Sequence, residues 1–343
     1  MKAVRLHEYE QWPSLDEVAE PEITGPLDVI VRIGGAGLCR TDLHIWEGLW
    51  AEKSGIELPY IIGHENAGWV HEVGAAVSNV EVGDAVILHP LITCGLCRAC
   101  RDGDDMHCSH QAFPGVSTDG GWAQLLKTSA RSVVALPDGV EPAAVAAHAD
   151  AGLTAYHAVK KAVMRGMLLP GTTAVVIGAG GLGHIGIQSL KALSPAEIVV
   201  VDPSEEALEL ARSCGADHLV RADGDQVAAV HELTGNGAEV VFDFVGEFGA
   251  VQKAFDMTKR AGSHFVIGYG ENIDVPTIDV ISSERSFVGN LVGTYNDLAE
   301  LMVLAGQGRI DLHTRTFDLD DAVEAMQELH HGRLPGRGIL VPS

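Results

Sequence analysis

Two patterns of apolar spacing divide the chain. From residue 1 to about residue 140, apolar and polar positions alternate in short runs at 29–33, 67–73, 85–88 and 132–136, each broken by Gly or Pro. A period of two is that of a strand with one buried face, so this portion is expected to be β-rich and barrel-like. Over 143–163 the period becomes helical. After Pro170 and Gly171, residues 174–177 form a short apolar run, a glycine turn follows, and 182–193 read as a helix leading to a second strand at 197–201. Strand and helix candidates then alternate at 204–213, 218–220, 226–233, 239–244, 251–258 and 264–267. Such alternation predicts a parallel sheet with helices on both faces. Beyond Leu291, residues 297–305 and 319–330 read as helices, and an extended tail at 338–342 is expected to return to the first domain. The expected chain is therefore α/β, with a β-rich domain over 1–151 and 293–343 and a doubly wound domain over 152–292.

Composition narrows the partners. The 343 residues suffice for two domains that each bury a core. The hydrophobic fraction is 46%, and no run approaches the ~18 apolar residues of a membrane span. Against 23 Lys and Arg stand 47 Asp and Glu, a formal charge of -24 that repels phosphate backbones and anionic lipid. A small-molecule partner is expected, with neither nucleic acid nor membrane. Residues 1–13 carry no apolar export signal, so a reducing, cytoplasmic setting is expected.

Four of the six cysteines, Cys94, Cys97, Cys100 and Cys108, stand at C-x2-C-x2-C-x7-C spacing among turn-forming residues. Tetrahedral zinc takes four thiolates, and two-residue turns place successive sulfurs on one side of a knuckle. Two disulfides are the alternative, disfavoured in a reducing compartment.

Gly178, Gly180, Gly181 and Gly183 form G-x-G-G-x-G between the 174–177 strand and the helix that Leu182 opens, and Asp202 ends the next strand. In that context Gly178 allows a sharp turn, Gly180 lets backbone approach a pyrophosphate, and Gly183 permits close helix packing. Asp202 would accept from the adenosine ribose hydroxyls and repel a 2′-phosphate, which favours NAD over NADP. The alternative is that the glycines only pack a helix on a strand.

Cys39, His64 and Glu65 bring sulfur, imidazole and carboxylate, all donors zinc accepts. Spacing alone leaves open a small buried Cys39 and a core His64. The order of G-x-C-R-T-D-x-H, G-H-E, the four-cysteine loop, A-G-L-T-A-Y and G-x-G-G-x-G resembles medium-chain, zinc-dependent alcohol dehydrogenases over nearly the whole chain. The resemblance implies a GroES-like catalytic domain, a Rossmann domain, and two zinc ions per chain. It implies a catalytic zinc on Cys39, His64 and Asp150, leaving open whether Glu65 also visits the metal, and Asp42 orienting His64. Thr41 and His44 would form a proton relay, though His44 could be an ordinary surface histidine. Arg40 and Arg337 would contact the cofactor pyrophosphate, or be solvated surface arginines, and Val245, Ile267 and Val292 would line the nicotinamide, with catalysis in the cleft between the domains.

Trp46, Trp50, Ile92 and Trp122 fall at or near positions that line the pocket in relatives, which suggests an apolar medium-chain, aromatic or secondary alcohol; each could instead be core. A polyol or sugar dehydrogenase of the same superfamily is the alternative, an enone reductase fits less well, and a non-catalytic NAD-binding protein with one structural zinc is the reading from another class. Cys214 reads as a buried bystander. Relatives imply a homo-oligomer, tetramer more than dimer.

Overall fold

The computed structural model describes residues 1–343, which form two compact units. One comprises Met1–Leu153, Gly293–Gly308 and Leu312–Ser343, and the other Thr154–Val292 with Arg309–Asp311.

The first unit is built on a seven-stranded sheet. Its order is Thr314–Asp318, Arg337–Val341, Asp28–Leu38, Glu65–Val73, Ala85–Leu88 and Val133–Ala135, with Leu125–Ser129 also paired to Asp28–Leu38. The tail strand Arg337–Val341 runs antiparallel to Asp28–Leu38, with Gly338 opposite Leu38. A small second sheet joins Ser14–Glu17, Lys2–Leu6 and Tyr60–Ile61. Alternating Val29, Val31 and Ile33 enter a core with Val70, Val86, Leu126 and Trp122. Trp122 is fully enclosed and donates its indole N–H to the Gly37 carbonyl at 3.1 Å.

In the second unit six parallel strands take the order His218–Arg221, Glu197–Asp202, Thr173–Ile177, Ala238–Asp243, Thr258–Val266 and Ser286–Gly289. Numbered along the chain this is 3-2-1-4-5-6, the doubly wound order, whose switch point lies between Thr173–Ile177 and Ala238–Asp243. Strand residues alternate between two apolar layers, Val176, Val200 and Phe242 on one face and Val175, Val199 and Val241 on the other. Burial on both faces explains why these strands read as continuous apolar runs.

The helix expected over 143–163 is interrupted. Pro142–Val145 is helical, Ala146–Ala149 is a 3₁₀ turn, Asp150 leaves helical geometry at φ -129°, and Ala151–Met164 resumes as an α-helix. The physical reason is distant in sequence. The Ala151 N–H, a helix-terminal donor without an intrahelical acceptor, donates to Glu65 Oε1 at 2.9 Å. A carboxylate there also suits the positive end of the helix dipole. The break sets Asp150 outside the helix.

Candidate active site

Cys39 follows the Asp28–Leu38 strand directly and caps the Arg40–Trp46 helix. Its backbone N–H donates to Asp42 Oδ2 at 2.8 Å, and Asp42 Oδ1 lies 3.2 Å from His64 Nδ1. One buried carboxylate therefore fixes both the Cys39 backbone and the imidazole plane, the arrangement that orients a metal-binding histidine. With Nδ1 turned to Asp42, Nε2 faces Asp150 Oδ2 at 3.5 Å. Donor atoms of Cys39, His64, Glu65 and Asp150 all lie within 4.8 Å of one another. Ligands about 2.0–2.3 Å from a tetrahedral zinc stand roughly 3.3–3.8 Å apart, so the His64–Asp150 separation fits such a centre. Burial opposes a charged His64, yet Asp42, Asp150 and Cys39 hold its pKa well above the ordinary histidine range. The cluster is thus an electrostatic sink for positive charge.

Glu65 belongs to the cluster but is engaged elsewhere. Its Oε1 holds the Ala151 N–H, and its Oε2 pairs with Arg337, which is buried on the tail strand. A Cβ on Gly37 would collide with this carboxylate, so glycine in the facing strand is what admits the pair. Burial pushes Glu65 up against the pull of Arg337, while Arg337, despite its own burial, is held above the usual arginine range by Glu65 and Cys39. Arg337 is 4% exposed and bound to Glu65, which removes the surface-arginine alternative. His44 is likewise buried, which removes the surface-histidine alternative, and Thr41 beside it is half-buried. Arg40 is exposed.

The four sulfurs of Cys94, Cys97, Cys100 and Cys108 also lie within 4.8 Å, and no disulfide joins any cysteine. Backbone N–H groups of Leu96 and Cys97 donate to Cys94 Sγ, and those of Cys94 and His110 to Cys108 Sγ, all at 3.4 Å. Such bonds favour thiolate: the Cys100 N–H is the largest influence that pulls Cys97 down to about 6. This donor set fits a closed structural zinc site.

Of the four residues expected to line a substrate pocket, Trp122 is core, as described above, a correction that follows from its complete enclosure. Trp46 stacks on Trp12 with ring centroids 4.5 Å apart and His330 edge-on to both. Trp50 is half-buried with Lys53 Nζ over its ring at 5.7 Å, and Ile92 forms a bridge to Ala112.

In the second unit, Gly178 has φ +86°, a conformation favouring glycine, directly after the Thr173–Ile177 strand. A Cβ on Gly183 would overlap the Gly178 carbonyl, while one on Gly180 would meet nothing. The first clash closes the helix onto the turn, and the open space at Gly180 suits close approach by a ligand. Gly181 and Leu182, the helix N-cap, complete the turn. Asp202 accepts from the Ala179 N–H and the Ser204 N–H, each at 2.8 Å, so it braces the turn. Gly183→Ala is expected to abolish measurable NAD binding and to lower the melting temperature, checked by calorimetric titration and thermal unfolding; wild-type affinity would refute this account of the turn.

Sequence reasoning missed two residues here. Asp243 ends the Ala238–Asp243 strand, and its Oδ1 accepts from Val245 and Gly246 N–H, both at 2.9 Å. Its carbonyl accepts from Ile267 at 3.1 Å and Gly268 at 2.9 Å, so one residue ties the turns bearing Val245 and Ile267. His184 Nδ1 lies 2.7 Å from the Gly180 carbonyl, beneath the glycine turn. A buried acid at the end of an apolar strand beside the switch point was the available signal for Asp243. Val292 adopts φ +42°, strained for a β-branched residue and of the kind concentrated at functional sites.

Residues 25–138 match the family described as alcohol dehydrogenase GroES-like domain, and residues 181–306 match the zinc-binding dehydrogenase family. An NAD-dependent alcohol dehydrogenase of Sulfurisphaera tokodaii is 33% identical, with 100% of each chain covered. A D-arabinose 1-dehydrogenase (NADP(+)) of Saccharolobus solfataricus is 34% identical over 99% of this chain and 97% of its own. Among solved structures, the alcohol dehydrogenase of the hyperthermophilic archaeon Aeropyrum pernix superposes with a TM-score of 0.96 at 46% identity, covering 100% of both chains.

Proposed function

Because this chain belongs to the medium-chain, zinc-dependent alcohol dehydrogenase family and is an NAD-dependent enzyme of that class, we propose that Cys39, His64 and Asp150 hold its catalytic zinc and that its substrate is an apolar alcohol. The observation that carries the metal assignment is the convergence of one thiol, one imidazole and one carboxylate around His64 Nε2, with Asp42 behind the ring. As anions, Cys39 and Asp150 offset a dication to about zero net charge, and three protein donors leave a fourth position for substrate. Zinc held there would supply Lewis acidity, easing loss of the substrate hydroxyl proton near neutral pH.

The residues around it do the rest. Thr41 receives the proton released from the alcohol hydroxyl and passes it to His44, an imidazole of the kind that titrates near neutral pH. NAD held beside this site would supply the two-electron acceptor, taking hydride from the carbinol carbon and leaving aldehyde or ketone, NADH and one proton. The glycine turn would hold the pyrophosphate, Asp202 the ribose, and Val245, Ile267 and Val292 the nicotinamide. Arg40, exposed at the start of its helix, can contact the pyrophosphate. Cys94, Cys97, Cys100 and Cys108 would take a second, structural zinc, and a four-thiolate centre suits a reducing cytoplasm.

Trp46 and Trp50 favour apolar medium-chain, aromatic or secondary alcohols. A sugar substrate is the second reading, supported by similarity to the D-arabinose dehydrogenase. A panel of alcohols, carbonyls, polyols and aldoses with NAD, followed at the nicotinamide absorbance, tests this. Higher kcat/KM for apolar alcohols than for any polyol or aldose is expected, and the reverse order would overturn the substrate assignment.

A homo-oligomer is supported by the edge strand Ser286–Gly289 and by Ile278 and Ile281, 65% and 71% exposed on the preceding helix, and the family resemblance favours a tetramer. Light scattering should give the tetramer mass, and Ile278→Glu/Ile281→Glu should shift it to a smaller species; a monomeric wild type would refute the assembly.

A further inference from the structure

We infer that Glu205 is a second acidic determinant of cofactor choice, acting by neutralising Arg221, a cation that borders the adenosine ribose site beside Asp202. The inference rests on Asp202 as the ribose acceptor. Strands Glu197–Asp202 and His218–Arg221 are parallel neighbours with Asp202 in register with Arg221. Adjacent strands lie about 4.8 Å apart, so Arg221 reaches the same sheet end at which Asp202 stands. Arg221 follows Asp202 by 19 positions, and only pairing of the two strands brings the cation to this end.

The helix Glu205–Ser213 begins immediately after this strand, with Ser204 as its cap accepting from the Ala207 N–H. Its first residue, Glu205, places Oε2 3.6 Å from Arg221 Nη1. The side chains are 71% and 59% exposed. An ion pair this exposed contributes little to folding. Its consequence is therefore for what charge can approach the site.

A 2′-phosphate adds roughly -1.5 to -2 charges where NAD carries a hydroxyl. Arginine is the side chain best matched to phosphate, because its planar fork donates bidentately. Arg221 could serve that purpose, yet Glu205 occupies it and adds negative charge next to Asp202. Discrimination against NADP thus has two parts: repulsion by Asp202, and removal by Glu205 of the cation that would compensate it. Asp202 keeps lone pairs for ribose while bracing Ala179 and Ser204, so its two tasks are compatible.

Titration of the whole protein with NAD and NADP by calorimetry tests this through the ratio of the two dissociation constants. Glu205→Gln should shift that ratio toward NADP on the order of tenfold at low salt, through the loss of one anion, which leaves the charge of Arg221 uncompensated near the phosphate. The shift should shrink as salt shortens the Debye length, and it should vanish in Glu205→Gln/Arg221→Ala. No shift in Glu205→Gln, or a shift that survives Arg221→Ala, overturns the proposal. Asp202→Asn separates the premise from the inference. Unchanged NAD affinity in that variant sinks the ribose assignment and the proposal with it, whereas weakened NAD affinity with no gain in Glu205→Gln sinks the proposal alone.

Discussion

Cys39→Ser is expected to lose at least about 10³-fold in kcat/KM and one of two zinc ions per chain, while thermal stability stays close to wild type. The size follows from the Lewis-acid contribution of several kcal/mol, each 1.36 kcal/mol being tenfold in rate. The sparing of the fold follows from geometry. Cys39 ends a strand whose register with Glu65–Val73 is held by backbone pairing, and its N–H contact to Asp42 does not involve sulfur. Cys97→Ser should behave oppositely. It also removes one zinc, but from the Cys94–Cys108 lobe, and metal affinity there is folding energy. Its melting temperature should fall on the order of 10 °C. Elemental analysis, steady-state kinetics and calorimetry on the two variants check this crossed pattern. A Cys39→Ser protein that keeps two zinc ions and its turnover would remove Cys39 from the catalytic centre.

Arg337→Met is expected to cost about 3–5 kcal/mol, the penalty of leaving a buried carboxylate without its partner. Glu65 is fully enclosed, and its remaining protein contact is the Ala151 N–H. The double variant Glu65→Gln/Arg337→Met should be more stable than Arg337→Met, because an amide oxygen still accepts from Ala151 and no charge is stranded. Activity gives an independent readout. Released from Arg337, the Glu65 carboxylate lies within reach of the Cys39, His64 and Asp150 donors and would compete for the fourth coordination position. Turnover should therefore fall in Arg337→Met and recover in part in the double variant. If the double variant is less stable than the single one, the pair does not act as a charge couple.

Some of this protein was legible without coordinates because the responsible physics is local. A period of two against a period of 3.6 separates strands from helices over a few residues. The glycine turn and the four-cysteine lobe are contiguous, so their donors and conformations are set by near neighbours. Cys39 with Asp42 is also local, a capping arrangement inside one turn of helix. Resemblance extended this to Asp150, which spacing alone would never have joined to Cys39.

What stayed hidden depends on contacts between distant segments. The helix over 143–163 was expected to be continuous because its residues are good helix formers, and its interruption at Asp150 is coupled to Glu65, brought by another strand. The partner of Arg337 is not announced nearby in sequence, and only the antiparallel pairing of the tail with Asp28–Leu38 delivers it to Glu65. Trp122 reads as a pocket residue only by resemblance to relatives, and its enclosure depends on contacts such as the Gly37 carbonyl on a distant strand. Arg221 was invisible beside Asp202 until two parallel strands set them in register.

The sequence by itself thus marked the two units, the candidate metal donor types, the glycine turn and the acid Asp202 at the end of the next strand, since each is written in short-range spacing. Tertiary structure alone decided which carboxylate is bound to which cation. Charge pairing acts through space, and strand register, which is fixed by the packing of whole faces, chooses the partners.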